Sequence, residues 1–175
     1  MNAALAIAML RHQQSLDVPV SALREAMSKV DWPARMQKLP EGLLTRLLPK
    51  GSELWLDGGH NPSAARAVAG FIQQRFDDDL PLVLAFASLG SKDPKGVLLP
   101  FRGIATQILT LPIGDHDFRD PKDLADLARS LGFRAEPYDS LAQALAAVRA
   151  PARLLIFGSL YLAGEVLAEN GETPD

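Results

Sequence analysis

From residue 53 onward, short apolar runs alternate with amphipathic segments, and this alternation restricts the possible folds more than any other feature of the chain. The runs are residues 54–56, 82–87, 107–111 and 153–157, with a weaker one at 134–138. Each is too short for a helix and is bounded by turn-forming residues, so each reads as a strand. The segments between them open with helix-starting chemistry. Asn61-Pro62, Asp93-Pro94 and Asp120-Pro121 each put a side-chain acceptor at the N-cap and proline at the first helical position, where its missing N–H would have no partner anyway. Ser140 and Gln143 have capping-box spacing. Behind two of these starts run apolar stripes: Ala65, Val68, Ala69, Ile72 and Phe76, then Leu124, Leu127, Ala128 and Leu131, closed by Gly132. Strands alternating with helices build βαβ units. The expected fold is therefore α/β and Rossmann-like, a mainly parallel sheet with helices on both faces, preceded by a short helical segment.

That preceding segment predicts two helices, residues 2–14 and 20–30. In the second, Leu23, Ala26, Met27 and Val30 share one face. The apolar start, residues 2–10, meets Arg11 and His12 well short of the ~20 residues that span a bilayer, and it reads as a core helix. Asp31-Trp32-Pro33 breaks the pattern. Residues 35–48 then read as one or two short strands interrupted by Pro40-Glu41-Gly42.

Composition excludes several classes of function. With 175 residues, 47% of them hydrophobic, the chain can bury a substantial core. Its 18 basic and 21 acidic residues give a net charge of −3, which offers no attraction to a nucleic-acid backbone or an anionic membrane. Neither partner is expected, and a cytoplasmic monomer is. The absence of cysteine removes disulfides, thiolate metal sites and cysteine nucleophiles. There is no H-E-x-x-H pair, no G-x-S-x-G elbow, no G-x-x-x-x-G-K-[ST] phosphate loop and no G-x-G-x-x-G fingerprint. A metal site is not expected, and any role in nucleotide binding has to be partial.

In an open α/β sheet, ligands bind beyond the carboxyl ends of the strands. Polar residues concentrate there: Asp57-Gly58-Gly59-His60-Asn61-Pro62, Ser88-Leu89-Gly90-Ser91-Lys92-Asp93, residues 114–119, and Gly158-Ser159-Leu160-Tyr161. Gly58 and Gly59 either allow a backbone to approach an anion at the following helix start, with Asp57 accepting from ribose hydroxyls, or they only make a tight turn with Asn61 as its N-cap. Lys92 either neutralises a carboxylate or phosphate or is a solvated charge. Trp32 and Trp55 read as packing residues.

Three ordered motifs carry a resemblance: residues 54–62, Gly90-Ser91-Lys92-Asp93, and residues 157–165 with Gly158-Ser159-Leu160-Tyr161 at their core. Together they resemble the C-terminal domain of the bifunctional folylpolyglutamate synthase/dihydrofolate synthase family, within the Mur ligase superfamily. Asn2-Ala3-Ala4-Leu5 is similar to the last helices of the family's central ATPase domain, and Trp32-Pro33-Ala34-Arg35 to its Pro-Gly-Arg junction. The resemblance implies that residues 1–34 close the ATPase domain and form a linker, and that residues 35–175 form the glutamate-ligase domain. It implies an ATP- and magnesium-dependent ligase that adds L-glutamate to dihydropteroate or to reduced folates such as tetrahydrofolate, through an acyl phosphate. The N-terminal and central domain that supplies the phosphate loop and magnesium ligands would be the missing partner, so this chain alone is expected to be inactive and to hold no cofactor tightly.

By the same resemblance, Asn2, Arg35, Asp57 and His60 would contact the nucleotide. Asn61, Lys92 and Ser159 would surround glutamate, and Arg35 and Lys92 would act on the reacting groups. The sequence departs from the pattern at Gly58-Gly59, where the family often has alanine or valine, at Gln37, which stands where an acidic residue is common, and at Ser91, which replaces the first acid of an Asp-Lys-Asp run. Residues 116–119 match no assigned role. Two rival readings are the corresponding domain of a peptidoglycan Mur ligase and a non-catalytic Rossmann-like binding module.

Overall fold

The computed structural model describes residues 2–30 and 32–172, with Asn2 described by its backbone alone. The chain divides into two compact units, residues 1–33 and 34–175. No helix among the described residues is long and apolar enough to cross a membrane.

The first unit holds α1 (Asn2–His12) and α2 (Val20–Lys29). Gln13 organises the connection between them: its amide donates to the Leu10 and Leu16 carbonyls, and its Oε1 accepts from the Ser15 and Leu16 amides. The expectation of a core helix at residues 2–10 is corrected. Leu5 and Met9 are 63% and 65% exposed, and Leu23 is the one buried residue among those described in this unit. Two helices of 11 and 10 residues are too few to enclose an apolar face on their own.

The second unit is a six-stranded sheet in the order β1-β2-β6-β3-β4-β5. Its strands are β1 (Gln37–Lys38), β2 (Glu53–Asp57), β3 (Leu82–Phe86), β4 (Ala105–Thr110), β5 (Ala135–Pro137) and β6 (Arg153–Phe157). All neighbours pair in parallel except β1, which runs antiparallel to β2 on the edge. The helices are α3 (Pro62–Arg75), α4 (Pro94–Leu98), α5 (Pro121–Ser130), α6 (Leu141–Ala147) and α7 (Leu160–Asn170).

Side chains of a strand alternate between faces, and here both faces are apolar. Leu54, Leu56, Val83, Ala85, Leu154 and Ile156 join the core that includes residues of α6 and α7. Leu82, Leu84, Phe86, Leu155 and Phe157 join the core that includes residues of α3, α4 and α5. This double burial explains why β3 and β6 are continuous apolar runs rather than alternating ones.

The helix starts form as their sequences predict. The Asn61 Oδ1 accepts from the Ala64 amide at 2.9 Å, Asp93 Oδ1 from Gly96 at 3.0 Å, Asp120 Oδ1 from Lys122 at 2.7 Å and Ser140 Oγ from Gln143 at 3.3 Å. Residues 35–48 differ from the strand expectation. They hold only the two-residue β1 and a 3-10 turn at Thr45–Leu47. Beyond Leu39, whose amide still donates to the Leu54 carbonyl, side chains take part in satisfying the backbone: the Gly42 amide donates to Thr45 Oγ1 at 2.8 Å, and the Leu44 amide donates to Asn170 Oδ1 at 3.3 Å.

At the amino ends of the strands, Arg153 closes a charged cluster with its side chain only 5% exposed. Its Nε donates to Glu53 at 2.8 Å, its Nη atoms donate to both carboxylate oxygens of Asp78 at 3.1 and 2.8 Å, and its guanidinium lies 3.6 Å over the Phe76 ring. Lys38 and the Trp55 indole N–H also donate to Glu53, and Trp55 meets Phe76 edge-on.

Candidate functional site

Register brings the carboxyl ends of four strands level. Asp57 pairs with Phe157, Phe157 with Phe86, and Phe86 with Thr110. The loops that follow these residues therefore share one rim. A cavity of about 350 Å³ opens on it, lined by His60, Leu89, Lys92, Ser159, Leu160 and Tyr161. Three sequence-predicted residues, His60, Lys92 and Ser159, thus come together from three different loops.

Each has a distinct local anchor. Ser159 is the N-cap of α7 and is 3% exposed, its Oγ accepting from the Tyr161 amide at 3.1 Å and more weakly from Leu162 at 3.4 Å. Its hydroxyl hydrogen is left over to donate. His60 is half-buried with Nδ1 3.2 Å from the Gly58 carbonyl, so in the neutral tautomer that bond favours, Nε2 is the free acceptor. Lys92 is half-buried, and its ammonium forms no ion pair among the described residues. A partly covered, unpaired lysine beside a helix N-terminus makes the cavity favourable for a carboxylate.

Gly58, Gly59 and Gly158 make this close packing possible. A Cβ on Gly158 would overlap the Ala87 carbonyl, and its φ of 113° lies in the left-handed region. A Cβ on Gly58 would overlap Leu160, and one on Gly59 would come within 2.7 Å of Phe157. The two glycines after β2 therefore serve the rim's packing.

Asp57 is 5% exposed. Its Oδ1 accepts from the Gly59 amide at 2.7 Å and its Oδ2 from the Met36 amide at 2.9 Å. Burial raises its pKa above the ordinary aspartate value, partly offset by these two N–H groups and by Arg35. Arg35 itself is exposed and donates from Nη1 to the Ala34 carbonyl at 3.0 Å. Asn61 is exposed with one amide oxygen engaged as a cap. The Asn2 side chain lies outside the described residues.

Sequence reasoning did not single out Leu89, Leu160 and Tyr161 as lining residues. It placed residues 114–119 at the same rim but gave residues 116–119 no role; the fold ties them to the Lys92 loop. Leu89 and Phe118 form an antiparallel bridge, the Gly90 amide donates to the Asp117 carbonyl at 3.2 Å, and the Arg119 amide donates to the Ser88 carbonyl at 2.8 Å. The His116 ring stacks on Tyr161 with centroids 3.7 Å apart. The available signal was positional, since both segments follow carboxyl ends of neighbouring strands. No His, Asp or Glu cluster among the described residues has the geometry of a metal site.

The fold has counterparts among solved structures. FolC of E. coli in complex with DHPP and ADP superposes with a TM-score of 0.74 at 24% identity, covering 95% of this chain and 38% of that one. A bifunctional folylpolyglutamate synthase/dihydrofolate synthase of Yersinia pestis, complexed with AMPPNP and Mn ion, gives a TM-score of 0.73 at 24% identity, with the same coverage of 95% and 38%. The chain has the fold of a folylpolyglutamate synthase C-terminal domain. A sequence relative points the same way: a probable bifunctional folylpolyglutamate synthase/dihydropteroate synthase of Haloferax volcanii is 28% identical over 171 residues, 94% of this chain and 19% of that protein. No protein-family model matches the chain. It spans about a fifth of that relative and under two fifths of the folylpolyglutamate synthase structures.

Proposed function

We propose that this chain is the amino-acid-accepting domain of an ATP-dependent ligase that joins L-glutamate to dihydropteroate or a reduced folate. The cavity that unites His60, Lys92 and Ser159 carries this reading, because it presents an unpaired cation, a hydroxyl donor and an imidazole at the rim where the fold places ligands. The fold and sequence likeness supply the reaction class.

In that reading, Lys92 pairs a glutamate carboxylate while Ser159 donates to it and Asn61 borders the entrance. A lysine–carboxylate contact is charge-assisted and orients the amine for attack. Arg35 faces the phosphates, where its exposed guanidinium offsets developing negative charge. His60 lies against the nucleotide, Asn2 is a further nucleotide contact, and Asp57 binds ribose through the lone pairs that Met36 and Gly59 leave free. ATP, when bound, supplies the phosphoryl group that activates the folate carboxylate as an acyl phosphate. Arg35, Asp57 and His60 fit one wall of a nucleotide site. The described residues do not fit a magnesium site. The remaining walls belong to an N-terminal and central domain, with residues 1–34 as the end of that domain and its linker and residues 35–175 as the ligase domain. The setting is a cytoplasmic monomer without nucleic-acid or membrane contact.

The test is a ligation assay. Purified chain incubated with ATP, magnesium, L-glutamate and dihydropteroate or tetrahydrofolate yields no glutamylated product and no phosphate above a heat-killed control. Product formation by this chain alone would contradict the division of labour between domains.

A further inference from the structure

The turn that carries Arg35 is held in an unfavourable backbone conformation by side chains from two distant parts of the second unit. Ala34 and Met36, on either side of Arg35, both have left-handed φ values, 55° and 43°. Neither is glycine, asparagine or aspartate, the residues that adopt this region readily, so each costs free energy that surrounding contacts must offset. On one side, Asp57 accepts from the Met36 amide at 2.9 Å, and the Gly58 amide donates to the Ala34 carbonyl at 2.9 Å. On the other, Gln37 accepts from the Ala34 amide through Oε1 at 2.8 Å and donates from Nε2 to Glu172 Oε2 at 2.8 Å. Glu172 is itself fixed, its Oε1 accepting from Asn170 Nδ2 at 3.1 Å, and Asn170 also bonds the Pro40 carbonyl and the Leu44 amide.

We infer that Gln37 and Glu172 are positioning residues that, with Asp57, latch the turn of residues 34–36 and so set where Arg35 points. The inference rests on the proposed role of Arg35 at the nucleotide phosphates. It also gives the unusual residue at 37 a purpose. An acidic side chain there still accepts from Ala34 but has no hydrogen to offer Glu172 and faces it with like charge. The amide at 37 is therefore matched to the carboxylate at 172.

That matching permits an exchange of the two groups. Gln37→Glu alone places two carboxylates together and breaks the latch. Gln37→Glu combined with Glu172→Gln restores every bond. The carboxylate now at position 37 accepts from the Ala34 amide and from the side-chain amide now at position 172, whose oxygen still accepts from Asn170. Amide hydrogen exchange of the 175-residue chain, resolved by NMR, reads the outcome. The single variant exchanges the Ala34 and Met36 amides roughly tenfold faster, the loss of about one hydrogen bond, and leaves the core amide of Leu155 unchanged. The double variant returns both to the original rate, as does the Arg35 Nε–H signal.

Unchanged exchange at Ala34 and Met36 in the single variant, or a double variant that exchanges as fast as the single, overturns the latch. The functional reading fails separately if the latch opens and closes as described but titration with ADP leaves the Arg35 Nε–H signal unmoved in the original chain.

Discussion

The two ends of the sheet are built from the same kinds of residue and treat charge in opposite ways. At the amino ends, Arg153, Glu53, Asp78 and Lys38 are engaged with one another, and Arg153 is additionally covered by Phe76. At the carboxyl ends, Lys92 and Arg35 form no ion pair among the described residues, although Lys92 is half-buried. A covered cation that forgoes a partner gives up stability, and it makes physical sense where a ligand will provide the partner. On the proposed function, one end of the sheet holds the domain together and the other receives substrate.

Substitutions that exchange these roles separate the two ends most sharply. Arg153→Met leaves Glu53 and Asp78 facing each other without their shared cation. Breaking a covered pair such as Arg153–Glu53 costs about 3 kcal/mol, reduced here by the partial exposure of Glu53 and by its remaining bond to Lys38, so chemical denaturation should show a loss of about 2 kcal/mol. Lys92→Ala should change the same curve by less than about 0.5 kcal/mol, since its ammonium forms no hydrogen bond or ion pair among the described residues. In a complete ligase carrying this domain, Lys92→Ala should lower kcat/KM for glutamate about 100-fold and leave the KM for ATP near its original value, as expected when a charge-assisted substrate contact is lost. If Lys92→Ala destabilised the domain as much as Arg153→Met, the contrast between the ends would disappear.

Acid titration distinguishes the ends by sign. Burial opposes the charge of Glu53, but hydrogen bonds from Lys38, Trp55 and Arg153 and the field of Arg153 prevail, holding its pKa at about 2 rather than 4.5. Its contribution to stability is present above pH 4.5 and is lost as pH falls through about 2. Asp57 behaves in the opposite way. Its pKa is raised from 3.8, chiefly by burial, so its ionisation on going up from pH 3.8 through the raised value reduces stability. Carboxyl-carbon NMR on acidification should therefore show Asp57 taking up its proton before Glu53. The reverse order would mean that the Arg153 cluster is not engaged as described.

The parallel sheet, its helix starts and the rim were legible in the sequence because each rests on local signals: apolar runs, Asn/Asp-Pro caps, and the rule that ligands gather beyond carboxyl ends. What stayed hidden depends on contacts distant in sequence. Arg153 lies within an apolar run, and nothing local reveals that its partners are Glu53 and Asp78. The loop at residues 39–48 looks like strand because the Asn170 side chain that satisfies its backbone lies far along the chain. Tyr161 sits in a recognisable motif, but its place in the cavity wall, with His116 stacked against it, follows only from the neighbouring loop. Asp57 was legible as a rim residue, while its burial and its hold on Met36 were not.

The central claim, that the unpaired rim receives an amino-acid carboxylate, is tested most directly by titrating the isotope-labelled chain with L-glutamate and following backbone and side-chain NMR signals. The account predicts shifts concentrated at His60, Leu89, Lys92, Ser159 and Tyr161, none at Glu53, Asp78 or Arg153, and their loss in Lys92→Ala. Shifts at the amino end, or a response at the rim that survives Lys92→Ala undiminished, would contradict it.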